Sequence, residues 1–142
     1  MNLTFRHSCI IVTNLEKALW FYKDLLGLKI WVQKTLEGEF ADKILGIPNV
    51  KMTYVKMDFD DLETSDHPPR FELHYYHNPK CDVVYPSGHI AFTVENIDEL
   101  YQKLIKENIP FCSEPTMDLE RKTKLCFCED FDGNVIELCE DL

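Results

Sequence analysis

The chain carries one segment twice, and that repeat limits what it can fold into. From His7 it reads His7-Ser8-Cys9-Ile10-Ile11-Val12-Thr13-Asn14-Leu15-Glu16-Lys17. From His89 it reads His89-Ile90-Ala91-Phe92-Thr93-Val94-Glu95-Asn96-Ile97-Asp98-Glu99. His, Val, Asn, an aliphatic residue and an acid recur 82 positions on, from 7 to 89. Each copy also ends on a Glu-Leu strand, Phe71-Glu72-Leu73-His74-Tyr75 in the first and Val135-Ile136-Glu137-Leu138-Cys139 in the second. Each half therefore opens with a strand bearing a His and closes with a strand bearing a Glu. A pseudo-dyad between the halves would gather two imidazoles and two carboxylates, a donor set suited to a metal.

Local signals give each half the order βαβββ. Asn14 and Asn96 are good helix N-caps, and Asp98 and Glu99 favour the positive end of the second helix. Leu15, Leu19, Tyr22, Leu25 and Leu26 recur at helical spacing, and Gly27 stops the first helix. Strands are expected from Phe5 to Val12, from Lys29, from Lys51 to Phe59 and from Arg70 to Tyr76 in the first half. The second half offers His89 onward, Ile109-Pro110-Phe111-Cys112, Thr123 to Glu129 and Asn134 to Glu140. Lys34 to Val50 reads as a loop with a short helix near Phe40 to Leu45. The His-to-Glu spacing is 65 residues in copy one (7 to 72) and 48 in copy two (89 to 137). Much of that surplus lies between Lys34 and Pro69, where a binding loop is expected.

The expected fold is α+β: two βαβββ modules forming a curled mixed β-sheet cup with helices outside. At 142 residues this is a single domain, module one about 1–78 and module two about 86–142. Fifteen basic and twenty-five acidic side chains leave a net charge of −10, which disfavours nucleic acid and anionic membrane as partners. Apolar runs such as Cys9 to Val12 are too short to span a bilayer, and residues 1–6 lack the apolar core of a signal peptide. The expected compartment is the cytoplasm, with the six cysteines as reduced thiols.

Strand alternation places His7, Cys9 and Ile11 on one face, as it does Glu72, His74 and Tyr76. His89, Ala91 and Thr93 share a face, and so do Val135, Glu137 and Cys139. Convergence of His7, Glu72, His89 and Glu137 would suit Zn, Ni, Co, Mn or Fe as a single divalent ion, leaving two octahedral positions for substrate. Singly, a strand His or Glu is most often packed or solvated. Kept twice in the same place, these polar residues need a reason that preserving a hydrophobic pattern does not supply.

The chain resembles the vicinal oxygen chelate superfamily, which includes glyoxalase I, methylmalonyl-CoA epimerase, extradiol dioxygenases and antibiotic-resistance proteins. The resemblance rests on His7 with Phe21-Tyr22 and Leu26-Gly27-Leu28, Phe71-Glu72-Leu73, Gly88-His89-Ile90-Ala91-Phe92, and Asp130-Phe131-Asp132-Gly133-Asn134 before Glu137. Phe131 departs from the proline usual there. The resemblance implies a metal at His7, Glu72, His89 and Glu137, and a metal-dependent lyase or isomerase acting on a small molecule that chelates through two oxygens. It assigns the proton-shuttling base to Glu137, with Glu72 as the symmetry-related alternative, and it implies a homodimer. The alternatives are a metal-free antibiotic-binding protein and an extradiol-type dioxygenase. His74, Tyr76, Cys9 and Cys139 are neighbours of the expected site, each with an equally ordinary packing role. Arg70, Arg121, Lys122 and Lys124 are candidates for an anionic substrate tail, against a mostly solvated cluster as the default. His67 and His77 fall in polar turns and are expected to be solvated.

Overall fold

The computed structural model describes residues 7–45, 47–81, 89–117 and 121–142. The side chains of Ile44, Leu45 and His89 lie outside that description. So do the strand start expected at Phe5, the helix stop at Gly46 and linker residues 82–88. The chain divides into two compact units, Met1–Val84 and Tyr85–Leu142.

In the first unit, β1 (Ser8–Ile11), β2 (Lys29–Glu37), β3 (Lys51–Asp58) and β4 (Phe71–Asn78) form one sheet in the order β1-β4-β3-β2. β1 runs parallel to β4, and the other pairs are antiparallel. Helix α1 (Leu15–Leu19) starts where the Asn14 side chain accepts the Lys17 N–H at 2.9 Å, the expected cap. It widens into a π-helical stretch at Trp20–Leu25, with the Leu26 N–H reaching the Phe21 carbonyl at 3.0 Å. Gly27, at φ +84°, turns the chain so that the Leu28 N–H returns to the Tyr22 carbonyl at 3.0 Å. The helical stripe Ala18, Phe21, Tyr22 and Leu25 is buried, as are Val55, Met57, Phe71 and Leu73 of the sheet. Tyr22 meets Phe71 with ring centroids 4.9 Å apart. Each such large side chain contributes about 1.5–3 kcal/mol of burial.

With the odd residues of β4 spent on this core, Glu72, His74 and Tyr76 occupy the other face. Helix α2 (Glu39–Leu45) lies at one end of that face, where Ala41, Val50 and Met52 form a small core with Leu36, Ile47, Tyr54 and Tyr76. β2 runs five residues beyond Val32, into the stretch expected to be loop. Cross-strand pairing explains the extension. Thr35 and Thr53 share a hydroxyl hydrogen bond of 2.7 Å, and Glu37 pairs with Lys51.

The second unit repeats the plan as β5 (His89–Thr93), α3 (Ile97–Lys106), β6 (Thr116–Met117), β7 (Thr123–Glu129) and β8 (Val135–Asp141), with sheet order β5-β8-β7-β6. Asn96 caps α3 by accepting the Glu99 N–H at 3.0 Å. Ile97, Leu104, Ile109, Cys126, Cys128, Ile136 and Leu138 are buried. The strand expected at Ile109 to Cys112 is reduced to a bridge between Phe111 and Cys128, and the second strand of this unit falls later, at Thr116–Met117. Ile109 is still occupied with the helix end, its N–H on the Leu104 carbonyl at 3.1 Å, and Pro110 has no N–H to give. The architecture is thus α+β with two βαβββ modules and two mixed sheets.

Candidate metal centre

The duplication survives in the register of the two sheets. In the first unit Cys9, two residues past His7, lies opposite Glu72 across the parallel β1–β4 pair. In the second, Ala91, two residues past His89, lies opposite Glu137 across the parallel β5–β8 pair. The flanking backbone bonds also correspond. The Val12 N–H donates to the His74 carbonyl at 2.9 Å, and the Val94 N–H donates to the Cys139 carbonyl at 2.7 Å. His7 and Glu72 therefore stand in the same strand relation as His89 and Glu137.

In the first unit this register brings donors together. Glu72 is buried, its side chain only 7% exposed. Its Oε1 lies 3.5 Å from His7 Nδ1, and its Oε2 lies 3.0 Å from His74 Nε2. Lys56, opposite Glu72 on β3, puts Nζ 3.6 Å from the same Oε1. A carboxylate removed from water needs such partners, because an uncompensated buried charge is costly. Two cis ligands about 2.1 Å from an octahedral ion stand about 3 Å apart. His7 Nδ1 and Glu72 Oε1 thus need only a small closure to share one. The imidazole and carboxylate set fits a borderline divalent ion.

In the second unit Glu137 is half-buried on β8 between Ala91 and Phe127. The turn that leads to it is tightly made. Asp130 Oδ1 accepts the N–H groups of Asp132 and Asn134, both at 2.9 Å, and Oδ2 accepts the Asn134 amide at 2.8 Å. Gly133 supplies φ +79°. Asp130 and Asn134 are buried, while Phe131 points to solvent.

The thiols near the two carboxylates are held in the neutral form. Loss of hydration, then the Glu72 charge, pushes the Cys9 thiol up to about 12. Cys9 is nevertheless exposed by area, so the small buried residue expected there is not found; the Glu72 charge, placed opposite by register, is the firmer cause. Burial, the Glu137 charge and a hydrogen bond with Glu137 raise the Cys139 thiol to about 11. The Tyr76 hydroxyl is raised first by burial, then by Cys9 and Cys81. Cys126 and Cys128 are buried, and Cys112 is exposed.

Lys124 is paired with Asp98, at 2.7 Å from Oδ1, and Arg70 is exposed, its backbone N–H donating to Asp58. Lys56, absent from the sequence expectation, is the cation at Glu72. The signal for it is the alternation of Met52, Tyr54 and Lys56 on β3 against Tyr76, His74 and Glu72 on β4.

His67 is not simply solvated. Its ring joins the Pro68 carbonyl at Nδ1 (2.9 Å) and Asp60 at Nε2 (3.1 Å), with Asp58 at 3.8 Å. The Pro68 carbonyl raises His67 above its ordinary 6.5, loss of hydration opposes that, and Asp60 and then Asp58 add to it against Arg70. Asp58, Asp60 and His67 offer ligand atoms within 4.8 Å of one another. Asp58 already accepts the N–H groups of Phe59 and Arg70, so the group serves as a clasp on the β3–β4 connection. His77 Nε2 lies 2.8 Å from the Thr53 hydroxyl.

Two βαβββ modules with matching His and Glu positions define a class of internally duplicated α+β proteins. Residues 4–138 match the model of the Glyoxalase/Bleomycin resistance protein/Dioxygenase superfamily, and the chain belongs to it. It is 30% identical to a probable lactoylglutathione lyase of Synechocystis, over 94% of this chain and 92% of that one. It is 29% identical to the metallothiol transferase FosB of Staphylococcus saprophyticus, over 95% of this chain and 75% of that one. A crystal structure of a glyoxalase family protein from Bacillus cereus superposes with a TM-score of 0.83 at 25% identity, covering 100% of this chain and 96% of that one.

Proposed function

We propose that the chain is a metal-dependent lyase or isomerase of glyoxalase type, acting on a small substrate that presents two oxygens to one divalent ion. The observation that carries this reading is the shared register of His7 with Glu72 and of His89 with Glu137. The similarity to a lactoylglutathione lyase supports it. His7, Glu72, His89 and Glu137 would hold the ion. The ion, when bound, acts as a Lewis acid for the negative charge that develops on the substrate oxygens.

The two carboxylates differ in their surroundings, and that separates their roles. Glu72 is buried against His7, His74 and Lys56, which suits a fixed ligand. Glu137 is half-buried, which suits the group that moves. Glu137 takes the proton from a substrate carbon, leaving the bonding electrons on the substrate as an enediolate or enolate, and returns it to the adjacent carbon of a hemithioacetal or to the same α-carbon of an acyl thioester. Fitting substrates are hemithioacetals and acyl thioesters.

A cytoplasmic homodimer completes the reading. Among the described residues no helix is long and apolar enough to cross a membrane. The similarity to FosB favours a second reading, group transfer to a thiol. Metal-loaded protein in deuterated water, with a panel of small hemithioacetals and thioesters and, in a separate assay, a small thiol with an electrophilic acceptor, tests both. Exchange of the carbon-bound hydrogen above the metal-free rate supports proton shuttling. Thiol consumption without exchange supports transfer.

A further inference from the structure

The proposed chemistry gives Lys56 no contact with substrate, only its ion pair with Glu72. Lys56 stands on β3 opposite Glu72, on the face that also carries Tyr54 and His74. Its Nζ lies 3.6 Å from Glu72 Oε1 and 5.6 Å from the centre of the Tyr54 ring. The contact with Glu72 is an ion pair longer than a hydrogen bond, and an ammonium group has three donors to place. The side chain is 31% exposed, so Lys56 is only partly enclosed.

Charge decides what that ligand is. Two neutral imidazoles and two carboxylates balance a divalent ion. Lys56 then leaves the site with one unit of positive charge. Once Glu72 is committed to the ion, its hold on Lys56 weakens, and the ammonium is available to another anion. With a net charge of −10, the chain as a whole repels anions, so a local cation is what would admit one.

We propose that Lys56 is a specificity-determining residue that selects substrates bearing a carboxylate beside their two chelating oxygens. The inference rests on the metal-site reading above. Lys56 is no ligand in that reading, so its removal should change selectivity and spare metal loading.

The test uses cobalt-loaded full-length protein and two probes with the same chelating hydroxy-acid head, lactate and malate. Malate carries one further carboxylate. Titration calorimetry should show malate binding about tenfold more tightly than lactate, the order expected for a charge-assisted contact in a partly buried site. Lys56→Met and Lys56→Gln should each bring the ratio near one while cobalt stays stoichiometric with an unaltered visible spectrum. Lys56→Arg should keep most of the preference. Equal binding of the two acids by the wild type overturns the proposal, as does a preference that survives in both neutral variants. Failure of the wild type to bind cobalt overturns the metal-site reading itself, and this inference with it. Those failures are distinguishable because the cobalt spectrum is read before either acid is added.

Discussion

His7 Nδ1 lies 3.5 Å from Glu72 Oε1, although the two residues are separated by most of the first module. Parallel pairing of β1 with β4 produces this approach, because it sets Cys9 opposite Glu72 and leaves His7 at the start of the same strand face. The second module repeats the pairing around Ala91 and Glu137. A duplicated backbone therefore presents a duplicated His–Glu relation, and the side chains around each Glu are where the halves differ.

That difference predicts unequal effects of removing the two carboxylates. Glu137→Gln should lower substrate proton exchange by about a hundred- to ten-thousandfold, the usual contribution of a general base, because an amide cannot accept the proton. Glu72→Gln should lower it less, with the larger effect on metal affinity. Exchange rates at saturating metal check this. A dead Glu72→Gln beside an active Glu137→Gln would reverse the two roles.

The His67 clasp predicts a pH dependence of stability. Its folded pKa is raised above 6.5, so the imidazolium favours the folded chain. That contribution is complete below the unfolded value and is lost as pH rises through the raised folded value. The Tm difference between wild type and His67→Gln, measured from about pH 5.5 to about 8.5, should shrink as pH rises. A constant difference would contradict the clasp.

The turn before Glu137 depends on Asp130. Asp130→Ala removes three accepted hydrogen bonds and leaves the buried Asn134 amide without that partner oxygen. Urea unfolding should show a loss of about 1.5–3 kcal/mol, the range for hydrogen bonds to a charged group. An unchanged midpoint would mean that the turn holds without its carboxylate.

The proposed homodimer predicts a sedimenting mass of about twice 16.7 kDa at micromolar concentration. A single species at the monomer mass would contradict it.

What the sequence made legible was mostly local. Asn14 and Asn96 cap their helices by bonds that span three residues, and Gly27 turns the chain after the π-helical stretch through its own backbone. The repeat itself carried the module plan. What it concealed depends on partners far along the chain. β2 reaches Glu37 because Lys51 and Thr53 are there to pair with it. β6 is displaced to Thr116 because Ile109 is held by the end of α3 and Pro110 cannot donate. Lys56 reaches Glu72 only through the β3–β4 register, which the long β3–β4 connection obscures. His67 read as solvated because its acidic partners act through the fold of its loop.

The most direct test of the central claim is metal content by mass spectrometry on wild type, His7→Ala and His89→Ala, each confirmed to be folded. One divalent ion per wild-type chain, falling to well below stoichiometric in both variants, is the predicted result. Full metal content in either variant would place the ion elsewhere and contradict the site built from His7, Glu72, His89 and Glu137.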